Sequence, residues 1–214
     1  EKVIFAWAMG ITHHEHGVGN VKSIVNLALL RGMIGKPHAG LLPLRGHSNV
    51  QGIGSVGVTP ALKTSVMEKL ESELDVKMPQ LPGMDTMQCM KSAMKGDIDL
   101  AFIQGGNLYN ANPDSQFTER ALNNIPFKIF LTTTLNMTHL IATKGECVIL
   151  PVAARDEEKQ PTTQESMFNF VRMSDGGIVR LDNVRSEVDI ISEIAHFVLG
   201  DHPINWLGFK EHSH

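Results

Sequence analysis

Residues 98–107 read Ile-Asp-Leu-Ala-Phe-Ile-Gln-Gly-Gly-Asn, and they predict the fold of the surrounding chain. The apolar part, Ile98 to Ile103, has the length and composition of a β-strand. The strand stops at residues 104–107, a polar turn with two adjacent glycines. In open parallel sheets ligands bind outside the carboxyl ends of the strands, and a glycine pair there admits a nucleotide or another flat group. A plain tight turn without a ligand is the alternative interpretation.

Strands and helices alternate on both sides of this strand. Hydrophobic periodicity predicts helices over residues 20–31, 62–74, 84–95, 113–123, 136–142 and 184–199, and strands over residues 3–8, 98–103, 127–131 and 146–152. The run at 3–8 is continuously apolar, which predicts a strand covered on both faces. The alternation predicts an α/β fold with an open, mostly parallel, doubly wound (Rossmann-like) sheet and helices on both faces.

Two further segments carry polar groups at places where a ligand could bind. Residues 132–139 follow the strand at 127–131, so we expect them at the same sheet edge as residues 104–107. Residues 32–60 hold seven glycines and three prolines, which predicts a long glycine-rich loop. Arg45 stands in that loop among polar side chains, and one guanidinium among amide donors suits a phosphate or carboxylate. A purely structural loop is the alternative. A hairpin is predicted around residues 175–177.

Composition excludes several classes of protein. The 214 residues carry 19 Lys+Arg and 23 Asp+Glu, a formal net charge of −4, with 42% hydrophobic and 20% charged residues. These values are typical of a folded globular chain and not of a disordered one. There is no basic excess for non-specific binding of nucleic acid. No apolar run approaches the roughly 18 residues of a membrane helix, so no membrane segment is predicted.

The two cysteines, Cys89 and Cys147, are too few for a disulfide framework or for the ligands of a typical iron–sulfur cluster. We expect both to be buried free thiols, which indicates a reducing compartment and a cytoplasmic location. The chain opens on Glu1 and Lys2 and passes directly into an apolar strand, without an initiator methionine or a signal peptide. It is therefore expected to be a segment of a longer protein.

The stretch His13-His14-Glu15-His16 raises the question of a metal site. Adjacent histidines point apart on a helix or a strand, and the spacing lacks the i, i+4 pair of helical metalloproteases. We assign no metal ligand in this chain. A ligand-binding or solvated loop is the preferred interpretation, and a zinc hydrolase remains an alternative.

Several ordered motifs resemble one family over about 170 residues. They are Ala8-Met-Gly-Ile-Thr-His-His-Glu-His-Gly-Val-Gly-Asn-Val21, Asn26-Leu-Ala-Leu-Leu-Arg-Gly32, Gly35-Lys-Pro37, Leu44-Arg-Gly-His-Ser-Asn-Val-Gln-Gly52, Phe102-Ile-Gln-Gly-Gly-Asn107, Val148-Ile-Leu-Pro151 and Thr162-Thr-Gln-Glu-Ser166. The family is that of molybdopterin-dependent oxidoreductases, and the resemblance is strongest to the catalytic alpha subunit of formate dehydrogenase-like enzymes.

This resemblance implies a cofactor, a substrate class and a partner. Such enzymes hold molybdenum or tungsten between two molybdopterin guanine dinucleotides (bis-MGD) and pass electrons through an iron–sulfur cluster to an acceptor protein or subunit. The 4Fe-4S cysteines and the metal-ligating cysteine or selenocysteine lie upstream in full-length relatives. The chain is thus expected to bind cofactor for a small substrate, with formate the candidate, and to be inactive alone.

The resemblance also assigns site residues. Arg45 matches the arginine beside the metal that orients formate, and it is the catalytic candidate. His13 and His47 stand where many relatives have glutamine, and both side chains can still hydrogen-bond a pterin. The implied cofactor-binding residues are Met9, Gly10, His13, Gly46, His47, Asn49, Gln51, Gln104, Gly105, Gly106, Asn107, Asn136, Thr138 and His139.

For domain organisation, we expect residues 1–48 to be the terminal βα unit of a preceding α/β domain. Residues 49–200 would form a Rossmann-like domain that binds the molybdopterin dinucleotide, and residues 201–214 a C-terminal tail. The competing function is a non-catalytic nucleotide-binding or regulatory α/β module.

Overall fold

The computed structural model describes residues 1–166 and 170–211, which form two compact units. The first unit comprises Glu1–Val56 with Thr163–Arg172, and the second comprises Gly57–Thr162 with Met173–His214. The strands are β1 (Ile4–Trp7), β2 (Gly40–Pro43), β3 (Leu100–Gln104), β4 (Phe127–Thr132), β5 (Glu146–Pro151), β6 (Thr163–Glu165) and β7 (Val171–Met173). The helices are α1 (Met9–Thr12), α2 (Gly17–Leu30), α3 (Val50–Ser55), α4 (Thr64–Leu74), α5 (Thr86–Lys95), α6 (Leu108–Ala111), α7 (Ser115–Asn123), α8 (Met137–Ile141) and α9 (Glu187–Leu199).

The second unit is built on a three-stranded sheet in the order β3-β4-β5, with both neighbouring pairs parallel. Leu100 pairs with Phe127 at one end of β3 and Gln104 with Leu131 at the other. A parallel bridge between Val152 and Arg185 extends the pairing just beyond β5. Because parallel neighbours need crossover connections, helices lie between the strands in sequence.

Helices cover both faces of this sheet. On one face, Phe130 of β4 packs into a cluster with Met90 and Ala93 of α5 and Leu122 of α7. On the other face, the next residue, Leu131, packs against α9 through Ile190. Successive side chains of a strand point to opposite faces, so one strand serves two cores. The predicted α/β class, with a parallel sheet and helices on both faces, is confirmed.

Local signals set the ends of the helices in this unit. Asp85 caps α5 by accepting the N–H of Gln88 at 2.8 Å, and the Gln88 side chain accepts the Asp85 N–H at 2.8 Å. Gly96 ends the same helix with φ +81°, a left-handed conformation that favours glycine. Asp114 accepts the N–H of Phe117 at 2.8 Å and caps α7.

The first unit departs from prediction in two elements. Strand β2 lies inside the segment predicted as loop, and it pairs in parallel with β1 over Ile4–Trp7 and Gly40–Pro43. Helix α3 also lies in that segment, although it contains two of its glycines. The expectation that the first strand is covered on both faces is wrong, because Ile4 is 57% exposed and no residue of β1 is buried.

The predicted hairpin around residues 175–177 is also wrong. The short strands are β6 and β7, whereas residues 176–178 pack on the 3₁₀ turn at Arg155–Glu157. The Gly177 N–H donates to the Glu158 carbonyl at 2.5 Å, and the Ile178 N–H to the Asp156 carbonyl at 3.1 Å. A Cβ at residue 177 would lie 2.2 Å from the Asp156 carbonyl oxygen. This approach requires glycine.

Lys128 of β4 is the largest fully buried side chain among the described residues. Its Nζ donates to the carbonyls of Ile125 at 2.8 Å and Lys144 at 2.6 Å. Ile125 precedes β4 and Lys144 precedes β5, so Lys128 links the two loops that lead into these strands. Burial lowers the pKa of this ammonium group. Cys147, its register partner on β5, is exposed, so the expectation of two buried thiols is wrong for that residue, and Cys89 is only partly buried.

Glu193 of α9 joins the helix to two other segments. Its Oε1 contacts Arg185 Nη2 at 2.5 Å and also accepts from Lys210 of the 3₁₀ turn at Trp206–Lys210. Hydrogen bonds from Arg185 first and then Lys210 lower the pKa of this carboxyl from its ordinary value of 4.5 to about 2.

The pKa of Glu193 is lower in the folded state than in the unfolded state. The carboxylate therefore stabilises the fold at pH values above its unfolded-state pKa. We expect its contribution to be complete above pH 4.5 and to disappear as the pH falls towards 2. Thermal unfolding of the parent protein and of Glu193→Gln, measured at several pH values from above 4.5 down to about 2, tests this expectation. The gap between the two melting temperatures should narrow across that window. A gap that does not vary with pH would contradict the assignment.

Candidate functional site

The loops that follow β3 and β4 lie side by side at the carboxyl edge of the parallel sheet. Gln104, the last residue of β3, is the register partner of Leu131, so the two strands end within one residue of each other. Just beyond, the Gly105 N–H donates to the Leu131 carbonyl at 2.7 Å. The prediction that residues 104–107 and 132–139 share one sheet edge is confirmed, and this edge is where open α/β sheets bind ligands.

Gly105 and Gly106 form a turn that only glycine adopts without strain. Their φ angles are +63° and +79°, two successive left-handed conformations. A Cβ built at either position would meet no atom within 4 Å. The backbone of this turn therefore borders open space instead of packed protein. A ligand could approach the main chain closely there.

Asn136 connects the segment after β4, residues 132–139 (the β4 loop), to this turn. Its Nδ2 donates to the Gly106 carbonyl at 2.9 Å, and its Oδ1 accepts the Thr138 N–H at 3.0 Å, which caps α8. The backbone N–H of Asn136 donates to Nδ1 of His139 at 3.0 Å. Nδ1 of His139 is thus the acceptor of this hydrogen bond, and the His139 ring packs edge-on against Phe130 with centroids 4.9 Å apart.

Asn107 and Thr138 make a second connection between the loops. Thr138 Oγ1 donates to Asn107 Oδ1 at 3.0 Å and accepts the Tyr109 N–H at 3.1 Å. Asn107 Oδ1 also accepts the Asn110 N–H at 3.4 Å, which caps the short helix α6. Sequence reasoning missed Tyr109, because it takes part only through its backbone.

In the first unit, Arg45 contacts strand β6. Its Nη1 donates to the Glu165 carbonyl at 2.9 Å. Asn49 Oδ1 accepts the N–H of the same Glu165 at 2.9 Å, and the Gln164 side chain donates to the Ser48 carbonyl. Both backbone polar groups of Glu165 are therefore satisfied by side chains of the segment 45–49.

The Nε of Arg45 is buried and has no hydrogen-bond partner among the described residues. A buried unpaired donor is costly, so such a group calls for an acceptor that the described protein does not provide. Gln164 and Glu165 were not among the predicted site residues. They lie 116 or more positions from the residues they contact, and no short motif signals a pairing of that kind.

The remaining predicted residues of this unit lie at the start of α1 and along the glycine-rich segment. A Cβ on Gly46 would lie 3.2 Å from Met9 Sδ, so the structure brings these two residues together. Met9 and Gly10 begin α1, and His13 follows its last residue. His13, His47 and Gln51 are exposed.

Among residues 1–166 and 170–211, no group of three or more His, Cys, Asp or Glu side chains is placed to hold a metal ion. This includes His13, His14 and His16, which lie between α1 and α2 and are exposed. Over the same residues, no helix combines the length and the apolar character needed to cross a membrane.

Comparison with known proteins places the chain in a family. The family model described as molybdopterin oxidoreductase matches residues 1–197. An uncharacterized oxidoreductase of Mycobacterium tuberculosis is 35% identical over an aligned length of 219, and the alignment covers 99% of this chain and 28% of that protein. Protein YdeP of Escherichia coli K12 is 34% identical over an aligned length of 214, and the alignment covers 96% of this chain and 28% of that protein.

A third relative, a proposed formate dehydrogenase of Staphylococcus haemolyticus, is 31% identical over an aligned length of 153, and the alignment covers 66% of this chain and 16% of that protein. The chain thus spans less than a third of the length of these relatives. The family match covers the glycine turn at residues 105–106, the β4 loop and Arg45. The chain belongs to the molybdopterin oxidoreductase family.

Proposed function

We propose that this chain is the part of a formate dehydrogenase-like oxidoreductase that binds the pterin dinucleotide and orients a carboxylate substrate. The observation that carries the proposal is the open turn at Gly105–Gly106, held beside the β4 loop at the carboxyl edge of a parallel sheet. Family membership supports the pterin as the ligand class. The guanine dinucleotide form, the bis-MGD arrangement and molybdenum or tungsten as the metal belong to the same proposal.

The residues present fit such a group. The space next to Gly105 and Gly106 is free of protein atoms where a side chain would stand, so a flat or phosphorylated ligand could reach the main chain. Met9, Gly10 and Gly46 of the first unit belong to the same proposal as cofactor-binding residues. When bound, the cofactor supplies the oxidation-reduction chemistry by accepting electrons from the substrate.

Arg45 would hold the substrate. One side of its guanidinium is anchored on the Glu165 carbonyl, which limits how the planar group can rotate. The buried Nε lacks a partner among the described residues and could donate to a carboxylate oxygen. Because the fork matches a carboxylate in a bidentate way, Arg45 can fix the orientation of formate as well as its charge.

The remaining parts of the whole protein are proposals of the same kind. They are a 4Fe-4S cluster and a metal-ligating residue upstream of this chain, an electron-acceptor protein or subunit, and residues 49–200 as the dinucleotide-binding domain. The exposed free thiol of Cys147 supports a reducing, cytoplasmic location. Without the upstream parts we expect no turnover from the isolated chain.

Metal and pterin content test this proposal. The complete protein, purified anaerobically, should contain molybdenum or tungsten by mass spectrometry and pterin by fluorescence after oxidation, and it should reduce a dye with formate. Absence of both metal and pterin would contradict the proposal and favour the non-catalytic nucleotide-binding module.

Gly106→Ala is expected to reduce pterin content severalfold, because its new methyl group enters the space assigned to the ligand. Gly96→Ala is a matched control. Gly96 has nearly the same φ, +81° against +79°, and the same open surroundings, but it ends helix α5. Equal pterin loss in the two variants would show that backbone strain is responsible and would remove the turn from the site.

A further inference from the structure

We infer that Thr138 is a positioning residue. It holds the Gly105–Gly106 turn in the conformation that binds the cofactor, and it does not itself contact the cofactor. This inference rests on the proposed function, since it assigns a role within the same site. The observation behind it is a network of hydrogen bonds between the two loops. The Thr138 hydroxyl takes part in two of these bonds.

The hydroxyl of Thr138 is buried and already engaged within the protein. The residue is 2% exposed. Its proton goes to Asn107 Oδ1 at 3.0 Å, and its oxygen accepts the Tyr109 N–H at 3.1 Å. A buried hydroxyl whose only proton is donated within the protein, and which also accepts a backbone N–H, is part of the framework, because its burial keeps a ligand away from the oxygen.

The network runs through the backbone of the turn. Thr138 Oγ1 binds Asn107, which follows Gly106 directly, and the Thr138 N–H binds Asn136 Oδ1. Asn136 Nδ2 then returns to the Gly106 carbonyl at 2.9 Å. Two linked residues of the β4 loop, Thr138 and Asn136, thereby restrain the turn after β3 on both sides of the peptide bond that follows Gly106.

Two consecutive glycines make such a brace necessary. Glycine has the largest backbone freedom of any residue, so an unbraced pair would sample many conformations and a ligand would have to order it on binding. A turn that is already ordered binds more tightly because this cost is met in folding. Thr138 therefore acts on cofactor binding through the shape of residues 105–107.

Three variants of the complete protein test the inference. Thr138→Val keeps the shape of the side chain and removes the hydroxyl, whereas Thr138→Ser keeps the hydroxyl. Thr118→Val is the matched control: Thr118 is 1% exposed in the same unit, and its hydroxyl donates to the Asp114 carbonyl within α7 at 2.9 Å. Any general effect of removing a buried hydroxyl appears in both valine variants.

The first measurement is made on the cofactor-free proteins, so it does not depend on activity. In Thr138→Val, hydrogen exchange at the Tyr109 amide should accelerate about tenfold, the effect of losing one ordinary hydrogen bond. Thr138→Ser and Thr118→Val should exchange at the parent rate there. The second measurement is the rate of pterin release from the loaded proteins on dilution, where we expect the same order of variants and about a tenfold rise for Thr138→Val.

The outcomes separate this inference from the proposed function. If the parent holds pterin and Thr138→Val releases it no faster than Thr118→Val, the positioning role is overturned while the proposed function stands. If Thr138→Ser releases pterin as fast as Thr138→Val, the hydroxyl is not responsible and the inference also fails. A parent protein that contains no pterin overturns both. Faster exchange and faster release, confined to Thr138→Val, support the positioning role.

Discussion

Replacement of Arg45 by lysine in the complete protein is expected to lower formate-dependent turnover per bound metal by about ten- to a hundredfold. Lysine keeps the positive charge but lacks the planar fork that orients a carboxylate. The loss of one charge-assisted hydrogen bond costs about 1.5–3 kcal/mol, which gives that range if the bond acts mainly in the transition state. Metal and pterin content should change little, because cofactor contacts are proposed on several other segments.

The structure also gives Arg45 a bracing contact, which the experiment must separate from catalysis. Its Nη1 holds the Glu165 carbonyl. If bracing were its whole role, Arg45→Lys would lower stability and cofactor content together and leave the activity per bound metal unchanged. Dye reduction normalised to bound metal distinguishes these outcomes. Unchanged normalised activity would remove Arg45 from the catalytic assignment.

Arg31→Lys is a suitable control for this experiment. Arg31 belongs to the same unit, and it contacts Glu1 at 3.7 Å with 59% of its side chain exposed. Exposed ion pairs contribute little to stability, so this variant should match the parent in cofactor content and in normalised activity. A loss of activity in both variants would point to a general sensitivity of the unit to Arg→Lys changes.

A large loss of stability is expected for Gly145→Ala. Gly145 precedes β5 with φ +77°, and a Cβ there would lie 2.3 Å from the Pro126 carbonyl oxygen, a backbone atom. That carbonyl also accepts the Glu146 N–H at 2.8 Å, so it cannot move without loosening the start of β5. Backbone strain of about 1–2 kcal/mol and a steric cost of about 1–3 kcal/mol should both lower the free energy of unfolding.

Gly96→Ala isolates the steric part of this effect. It has a similar φ of +81° but no atom within 4 Å of its Cβ, so it carries the strain without the clash. For a domain of 150–250 residues, each kcal/mol lowers the melting temperature by about 2–4 °C. Thermal unfolding followed by circular dichroism should place Gly145→Ala below Gly96→Ala by several degrees. Equal melting temperatures would mean that the connection before β5 adjusts to the new methyl group.

Most of the second unit could be predicted because its signals are local. The predicted strands at 98–103, 127–131 and 146–152 agree with β3, β4 and β5 to within two residues at each end. Apolar runs, glycine turns and capping residues such as Asp114 act within a few positions of one another, so a sequence displays them directly. The shared edge of the two loops then follows from parallel pairing alone.

The first unit was harder to predict because its elements depend on distant partners. Strand β2 contains Gly40 and Pro43 in only four residues, and both residue types disfavour strands. Pairing with β1, more than thirty residues earlier, supplies the hydrogen bonds that local propensity does not. The exposure of Ile4 could not be predicted either, because an apolar run does not show which other residues pack against it.

The sequence by itself determined the family, the α/β class and the position of the glycine turn after β3, since each depends on the order of residues along the chain. Only the tertiary structure decided which polar side chains are already used within the protein. Thr138 and Asn107 are 31 positions apart, and Arg45 and Glu165 are 120 positions apart. A hydrogen bond depends on distance in space and on the direction of two groups, and neither is present in the order of residues.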